Sequence, residues 1–539
     1  MRRWNGWGDD ATSMILGEAA LAMMAARLGP GRIEADASRA SLLSQIAASR
    51  LQGAHPLIQT DADARFAMAL GESYADWIRK RFGALPPVPD GVAFVESAEQ
   101  VRELLDLAQH HDWIVIPFAG GTSVAGHLDC PLGKRPVLSI NLSRMNRLLH
   151  LDQRSQLATF GAGTAGPLVE AQLRARGYTL GHFPQSFEYS TVGGWVVTRS
   201  SGQQSLRYGR IEQLFAGGRL EAPVGTLIIP TLPAASAGPD LRELVLGSEG
   251  RFGILTEATL RVSPLPEHES FHALFFPRWD AAETAVRELV QKKLPLSMLR
   301  LSNGIETETN LTLAGHARLI GWLQRYLSWR GCSEDKCMLM LGVTGDERGA
   351  RQALDEARRL LARHGGVYIG TTMGSKWAAN RFKGPYLRNT LWEHGYSVDT
   401  IETAVDWPQV KKLMLSMEQT ARDVFAQYGE RVHAFTHLSH VYAQGSSIYS
   451  QFVWANAAGG FAPNLERWQR LKAAVAATIA GHGGTVSHQH GVGRDHAAHL
   501  QDEKGPLGMA TLAELCRHFD PKKIMNPGKL LQDGGPWAS

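Results

Sequence analysis

With four cysteines in 539 residues, Cys130, Cys332, Cys337 and Cys516, the chain has too few thiols, too irregularly spaced, for a disulfide framework, a metal finger or a dithiol redox motif. Reduced thiols in a cytosol are the expectation. Nowhere do eighteen uncharged apolar residues follow one another, which excludes a spanning helix and leaves peripheral membrane contact open. The apolar stretch 11–26 carries Glu18 and follows Asp9 and Asp10, acids where an export signal needs a basic leader and a clean apolar centre. A cytoplasmic location is therefore expected. Basic residues exceed acidic ones only by 56 to 52, a net charge of +4, and no Lys/Arg run interleaved with aromatics is there to grip a phosphate backbone. Nucleic acid is not an expected partner. The G-x-G-x-x-G turn of a dinucleotide-binding βαβ unit is also missing, which argues against a Rossmann domain for NAD.

What is present is a globular composition, 44% hydrophobic and 20% charged, on a length that calls for two large domains with terminal extensions. Up to about Phe82 the chain reads as helices, and Leu85-Pro86-Pro87-Val88-Pro89-Asp90 then imposes an extended link. An N-terminal helical extension over 1–87 follows. Val101, Leu104, Leu105 and Ala108 fall at helical spacing, ahead of a strand-like Ile114-Val115-Ile116 and the turn Gly120-Gly121. Further strands are predicted at 137–141, 157–161 and 254–262, the last from strict alternation, with a helix over 167–176. These elements make one domain, 88–265. Strand-like runs at 271–276, 298–301, 338–343 and 397–404, separated by long amphipathic helices, predict a second α+β domain over 266–510 and a closing segment over 511–539. The amphipathic stretch 319–329, with Trp322, Tyr326 and Trp329, either touches lipid or packs within this domain, and packing is the expectation.

Three glycine- and hydroxyl-rich stretches flank regular structure. They are Pro117-Phe118-Ala119-Gly120-Gly121-Thr122-Ser123-Val124, then 184–190 running into Thr191-Val192-Gly193-Gly194-Trp195, and Gly247-Ser248-Glu249-Gly250-Arg251-Phe252-Gly253-Ile254. Glycine amides approach a diphosphate closely because no Cβ intervenes, and their N–H dipoles converge on the anion. Each stretch alone is only a turn; three together point to a cofactor site.

The strings PFAGGTSV, STVGGWVVTRSSG with RYGRIEQL after it, and GSEGRFGILTEATLRVSPLP resemble the FAD-binding half of the alkyldihydroxyacetonephosphate synthase family, a branch of the vanillyl-alcohol oxidase family. The likeness starts at Trp4-Asn5-Gly6-Trp7-Gly8 and continues to Asp520-Pro521. It implies a two-lobed FAD-binding domain with an α+β cap, and a C-terminal tail that returns to the FAD domain. By this resemblance Pro117, Phe118, Ala119, Gly120, Gly121, Thr122 and Ser123 hold the FAD diphosphate. Pro184, Gln185, Ser186, Phe187, Glu188, Tyr189 and Ser190, with Val197, Thr198, Arg199 and Ser200, and with Glu249, Gly250, Arg251, Phe252, Gly253, Ile254 and Leu255, line the remainder. Thr122 stands where many relatives carry a flavin-linked histidine, which implies non-covalent FAD.

In the second domain, Arg300 and Arg388 sit among apolar neighbours, where a guanidinium needs a partner: either a structural carboxylate or an anionic substrate. The family has matching arginines, which favours the substrate clamp. His488 and His490 project to one face of an extended segment and, with His440, suggest a metal site. Metal-dependent 2-hydroxyacid dehydrogenases of the same superfamily, however, place a histidine where this chain has Tyr449 and a glutamate where it has Gln489. No metal is expected. The synthase family instead has a tyrosine pair spaced as Tyr442 and Tyr449, the second serving as acid/base, with His488 and His490 as its proton or phosphate partners. A phenol does this if neighbouring donors lower its pKa from about 10. The family's three consecutive histidines are His488-Gln489-His490 here, and Gln489 cannot take a proton near neutral pH.

The resemblance thus implies a small anionic, glycerone-phosphate-like substrate. In the family, flavin N5 forms an adduct with acyl-dihydroxyacetone phosphate, fatty acid leaves and fatty alcohol adds, with no net redox change. The same scaffold serves an FAD dehydrogenase of a 2-hydroxy acid or glycerol 3-phosphate, and fold alone does not choose between them. A homodimer is left open.

Overall fold

The computed structural model describes residues 1–532 apart from 316; residues 533–539 of the expected closing segment lie outside the described residues. The buried run Ile114–Phe118 lies parallel to Val137–Asn141, which is parallel in turn to Gly91–Phe94. Strands buried on both faces read as continuous apolar runs, as these do. Ser97 caps the helix Ala98–His111 by accepting the Gln100 N–H, and the helix lays Val101, Leu104, Leu105 and Ala108, all fully buried, into the core. A five-stranded antiparallel sheet, in the order Leu148–Asp152, Leu157–Gly161, Ile254–Arg261, Phe215–Ala222, Gly225–Ile229, contributes to the same core.

The rest of the chain builds a seven-stranded antiparallel sheet. Its order is Val367–Gly370, His268–Phe276, Cys337–Gly345, Met298–Ser302, Val432–Leu438, Gly445–Ala455, Tyr396–Asp406. Along Gly445–Ala455 alternate side chains part company, as the pleat requires. Ile448, Phe452 and Trp454 enter the core shared with helices Trp407–Ala426 and Phe461–Gly481. Tyr449 and Gln451 project from the other face.

Residues 1–87 are not purely helical. Ile58–Gln59 pairs antiparallel with Gly91–Phe94, whereas helix Glu18–Leu28 packs its Leu28, Met24 and Ala20 with Phe435 and Val453 of the large sheet. The extension therefore spans both lobes. At the other end, Val115 donates to the Ile524 carbonyl at 2.8 Å and accepts the Asn526 N–H at 2.9 Å, which brings the C-terminal segment back against Ile114–Phe118. Helix Ala317–Trp329 departs from the packing expectation. Ile320, Leu323 and Leu327 pack with Phe275 and Met338, but Leu319, Trp322 and Trp329 are 68%, 69% and 79% exposed.

Candidate active site

The three glycine stretches meet at one cleft, whose empty space of about 1040 Å³ includes its opening to solvent. The first loop must pass close to the second. Gly121 has φ +64°, and a Cβ on Gly120 would lie 2.3 Å from the Tyr189 carbonyl oxygen. The first and third loops are joined by a relay: Ser123 Oγ bonds His127 Nδ1 at 2.6 Å, and His127 Nε2 faces Glu249 Oε2 at 3.0 Å. Glu249, at φ +52°, also accepts the Val492 and Gly493 N–H groups at 2.5 and 2.7 Å. Asn526 of the returning segment donates to the Glu249 carbonyl at 2.8 Å.

Of the residues expected to touch the cofactor, Pro117 through Ser123, Ser186, Ser190, Val197, Thr198, Ser200, Glu249, Gly250, Gly253, Ile254 and Leu255 line this cleft. Others are engaged outside the lining. Phe187 stacks on Phe382 and Phe252 on Phe519, Gln185 donates to the Arg381 carbonyl, Arg251 donates to the Met525 carbonyl, and Arg199 pairs with Glu243. The Tyr189 ring meets Trp7 edge-on, Pro184 is buried, and buried Glu188 Oε2 has no hydrogen-bond partner among the described residues. His127, Trp195 and Asn526 also line the cleft. Trp195 lies inside a quoted glycine string and Asn526 in the tail expected to return to the FAD domain; His127 gave no sequence signal.

A glycine cradle closed to any Cβ, flanked by Ser and Thr hydroxyls, suits a flavin dinucleotide's diphosphate. Gly120→Ala is accordingly expected to abolish flavin retention while leaving a folded chain, read as loss of the absorbance near 450 nm with unchanged far-UV circular dichroism.

The loop after helix Phe461–Gly481 closes the cleft with Gln489 and His490. His437, Tyr449 and Glu402 lie directly opposite one another on three adjacent strands, so their side chains form a row on one face. Tyr449 stacks on His437 at 4.9 Å and meets His490 edge-on at 6.0 Å. Beyond His437, buried Glu306 accepts from His437 Nδ1 and Arg300 Nη2, each at 2.9 Å. Burial pushes the Glu306 carboxyl up, but His437 and Arg300 outweigh it and hold the group at about 2. Arg300 therefore has a protein carboxylate as its partner.

On the other side of Tyr449, a single oxygen of Glu402 organises the histidine segment. Glu402 Oε1 accepts the N–H groups of His488, Gln489 and His490 at 3.0, 2.9 and 3.0 Å, and the Ser487 hydroxyl at 2.9 Å. Burial opposes ionisation, yet His490, His488 and these donors keep the carboxyl well below its ordinary value. Burial also drives the imidazoles of His488 and His490 below theirs, with Glu402 opposing. They are neutral at pH 7. His488 Nε2 bonds the Tyr442 hydroxyl at 2.6 Å, and Arg210 donates to the His488 carbonyl at 2.8 Å. His490 is thus the histidine on the cleft, and His488 the one behind it. A lone acid at 402 in a strand gave the sequence no means of announcing this role.

Tyr449 differs from the expectation of a lowered phenol. Burial, with Glu402 and Asp399 adding to it, pushes it up to about 12. Arg388 lies over the Trp77 ring at 4.3 Å and donates from Nη1 to the Glu72 carbonyl at 2.6 Å. Its buried Nη2 has no hydrogen-bond partner among the described residues. The charge of Asp399 favours the protonated forms of Arg388, Tyr449 and His490.

Compared with known proteins, residues 89–229 match the family model described as FAD binding domain, and residues 265–530 that of FAD linked oxidases, C-terminal domain. Alkyldihydroxyacetonephosphate synthase of Trypanosoma brucei brucei is 30% identical over 483 residues, 88% of this chain and 78% of that protein. A solved structure of alkyldihydroxyacetonephosphate synthase matches with a TM-score of 0.81 at 26% identity, covering 97% of this chain and 98% of that one. Substrate-bound p-cresol methylhydroxylase matches at 0.64 and 14% identity over 89% of this chain and 95% of its own, a likeness of fold alone. The two-lobed flavoprotein fold with an α+β cap is the one expected from the sequence, and FAD is the cofactor. The chain belongs to the alkyldihydroxyacetonephosphate synthase family of FAD-dependent enzymes.

Proposed function

We propose that this enzyme exchanges the acyl group of an acyl-dihydroxyacetone-phosphate-like substrate for a fatty alcohol, forming an ether without net oxidation. The observation that carries the reading is the junction of Gln489 and His490 with the flavin cleft, with Tyr449 packed directly against His490. FAD, held non-covalently beside Thr122, supplies when bound a reactive ring nitrogen, N5. The protein's own part is to hold an anion and move protons. Tyr449 keeps its proton at every physiological pH and serves as the donor to a departing or forming oxygen. Neutral His490 accepts a proton at the cleft, and His488 holds the Tyr442 hydroxyl behind it. The unpartnered Arg388 Nη2 fixes the substrate phosphate, and Arg300 adds its remaining N–H groups from the Glu306 pair. The exposed Leu319, Trp322 and Trp329, interleaved with Arg318 and Arg325, support peripheral contact with the membrane that supplies acyl chains.

The test supplies purified holoenzyme with palmitoyl-dihydroxyacetone phosphate and hexadecanol and follows products by mass spectrometry. The expected result is fatty acid and alkyl ether in equal amounts. Absence of ether, together with dye reduction by glycerol 3-phosphate or a 2-hydroxy acid, would assign the enzyme to the dehydrogenases instead.

A further inference from the structure

We infer that residues 1–14 form an N-terminal strap that is a cofactor clasp, with Arg2 supplying the positive charge that the FAD diphosphate lacks inside the cleft. The inference needs FAD binding only, and holds whichever reaction the enzyme catalyses.

It begins from a charge imbalance. The diphosphate brings two negative charges, yet among the described residues no lysine or arginine lines the cleft, and the lining includes a carboxylate, Glu249. Glu249 is itself engaged by His127 and by the Val492 and Gly493 amides. Main-chain amides and hydroxyls donate hydrogen bonds to the phosphates but carry no net charge, whereas a guanidinium supplies both.

Arg2 brings a guanidinium to the first glycine loop from outside the cleft. Its Nη2 is 3.4 Å from the Gly121 carbonyl oxygen, and its guanidinium carbon is 5.1 Å from the Tyr189 ring centroid. Gly121 belongs to the first glycine loop and Tyr189 to the stretch that crosses Gly120, so Arg2 sits where the two loops meet. The neighbouring arginine is spent otherwise: Arg3 donates to the carbonyls of Asp9, Asp10 and Thr12, which folds the strap onto itself. Arg2 makes no ion pair among the described residues.

The strap is anchored well enough to hold Arg2 there. The Asn389 side chain accepts the Trp7 N–H at 3.0 Å and donates to the Trp7 carbonyl at 2.9 Å. Gly8, at φ +82°, passes so close to Tyr386 that a Cβ would lie 2.2 Å from its ring. The Thr390 hydroxyl donates to the Met14 carbonyl at 2.5 Å. All three anchors are on the cap, while Arg2 and the edge of Trp7 rest on the FAD-binding loops. The strap therefore ties the cap across the mouth of the cofactor site.

Arg2 is exposed, so replacing it leaves the fold intact, and the thermal midpoint of the apoprotein serves as the check. FAD dissociation is followed by the rise of free-flavin fluorescence after dilution, for the parent chain, Arg2→Ala and Arg2→Lys, across a range of NaCl. For Arg2→Ala the expected result is a roughly tenfold larger Kd, carried mainly by faster release, with a flatter dependence on salt. Arg2→Lys keeps the salt dependence and part of the affinity. Equal release rates and equal salt slopes for the parent and Arg2→Ala would overturn the assignment. Since no substrate is present, this outcome is independent of whether ether forms.

Discussion

Replacing Tyr449 with phenylalanine is expected to lower the rate of product formation by roughly 10²–10⁴-fold, the usual contribution of a positioned acid or base, while FAD affinity and stability stay close to those of the parent. The ring does the packing: it stacks on His437 and meets His490, and phenylalanine preserves both contacts. Only the hydroxyl is lost. A phenol held at about 12 is a proton donor across the working range, so the parent should show no activity limb due to Tyr449 between pH 6 and roughly 9. A Tyr449→Phe enzyme with unchanged kcat would remove this residue from the chemistry and leave it as part of the core.

Glu402 should give the second large effect, through position rather than contact with substrate. Glu402→Ala strands three main-chain N–H groups and the Ser487 hydroxyl on a buried segment. Unmade buried hydrogen bonds cost about 1–3 kcal/mol each, and partial relaxation brings the expected total to roughly 3–5 kcal/mol. His490 loses its place at the cleft, and activity falls with it. Glu402→Gln keeps an acceptor oxygen without the charge, so it should fold better than Glu402→Ala. In that variant the imidazoles of His488 and His490 lose the carboxylate that raises them, and the acid limb of the activity profile moves to lower pH.

The stability of the parent carries the same signature. The folded Glu402 carboxyl lies well below its ordinary value of 4.5, so its contribution is complete above that value and disappears as pH falls through the folded value. Urea midpoints of parent and Glu402→Gln should therefore differ most near neutrality and converge in acid. A gap that stays constant to low pH would contradict an ionised Glu402.

The glycine loops were legible in the sequence because their requirement is local: a left-handed turn or a contact with no room for Cβ has few chemical solutions. Residues that work across the fold were not. Arg300 looked free for an anion, and its partner Glu306 comes from the helix that follows the strand, a pairing that spacing does not reveal. Glu402 gathers a segment more than eighty residues away. Helix Ala317–Trp329 shows a third kind of limit. Its apolar residues form two stripes, Ile320, Leu323 and Leu327 on one side and Leu319, Trp322, Tyr326 and Trp329 on the other, and periodicity alone cannot say which one meets the core. Tyr449 was singled out in the sequence, but its raised pKa was not, because burial and the charge of two distant acids are tertiary properties.

The proposed reaction forms an ether at a flavin that ends each cycle oxidised, with Tyr449 and His490 handling the protons. The most direct measurement is an anaerobic reaction without any electron acceptor, in which flavin absorbance and alkyl product are recorded together. The account predicts many product molecules per flavin and a fully oxidised spectrum once substrate is exhausted. A flavin left reduced, with no more than one equivalent of oxidised product and no ether, would contradict it.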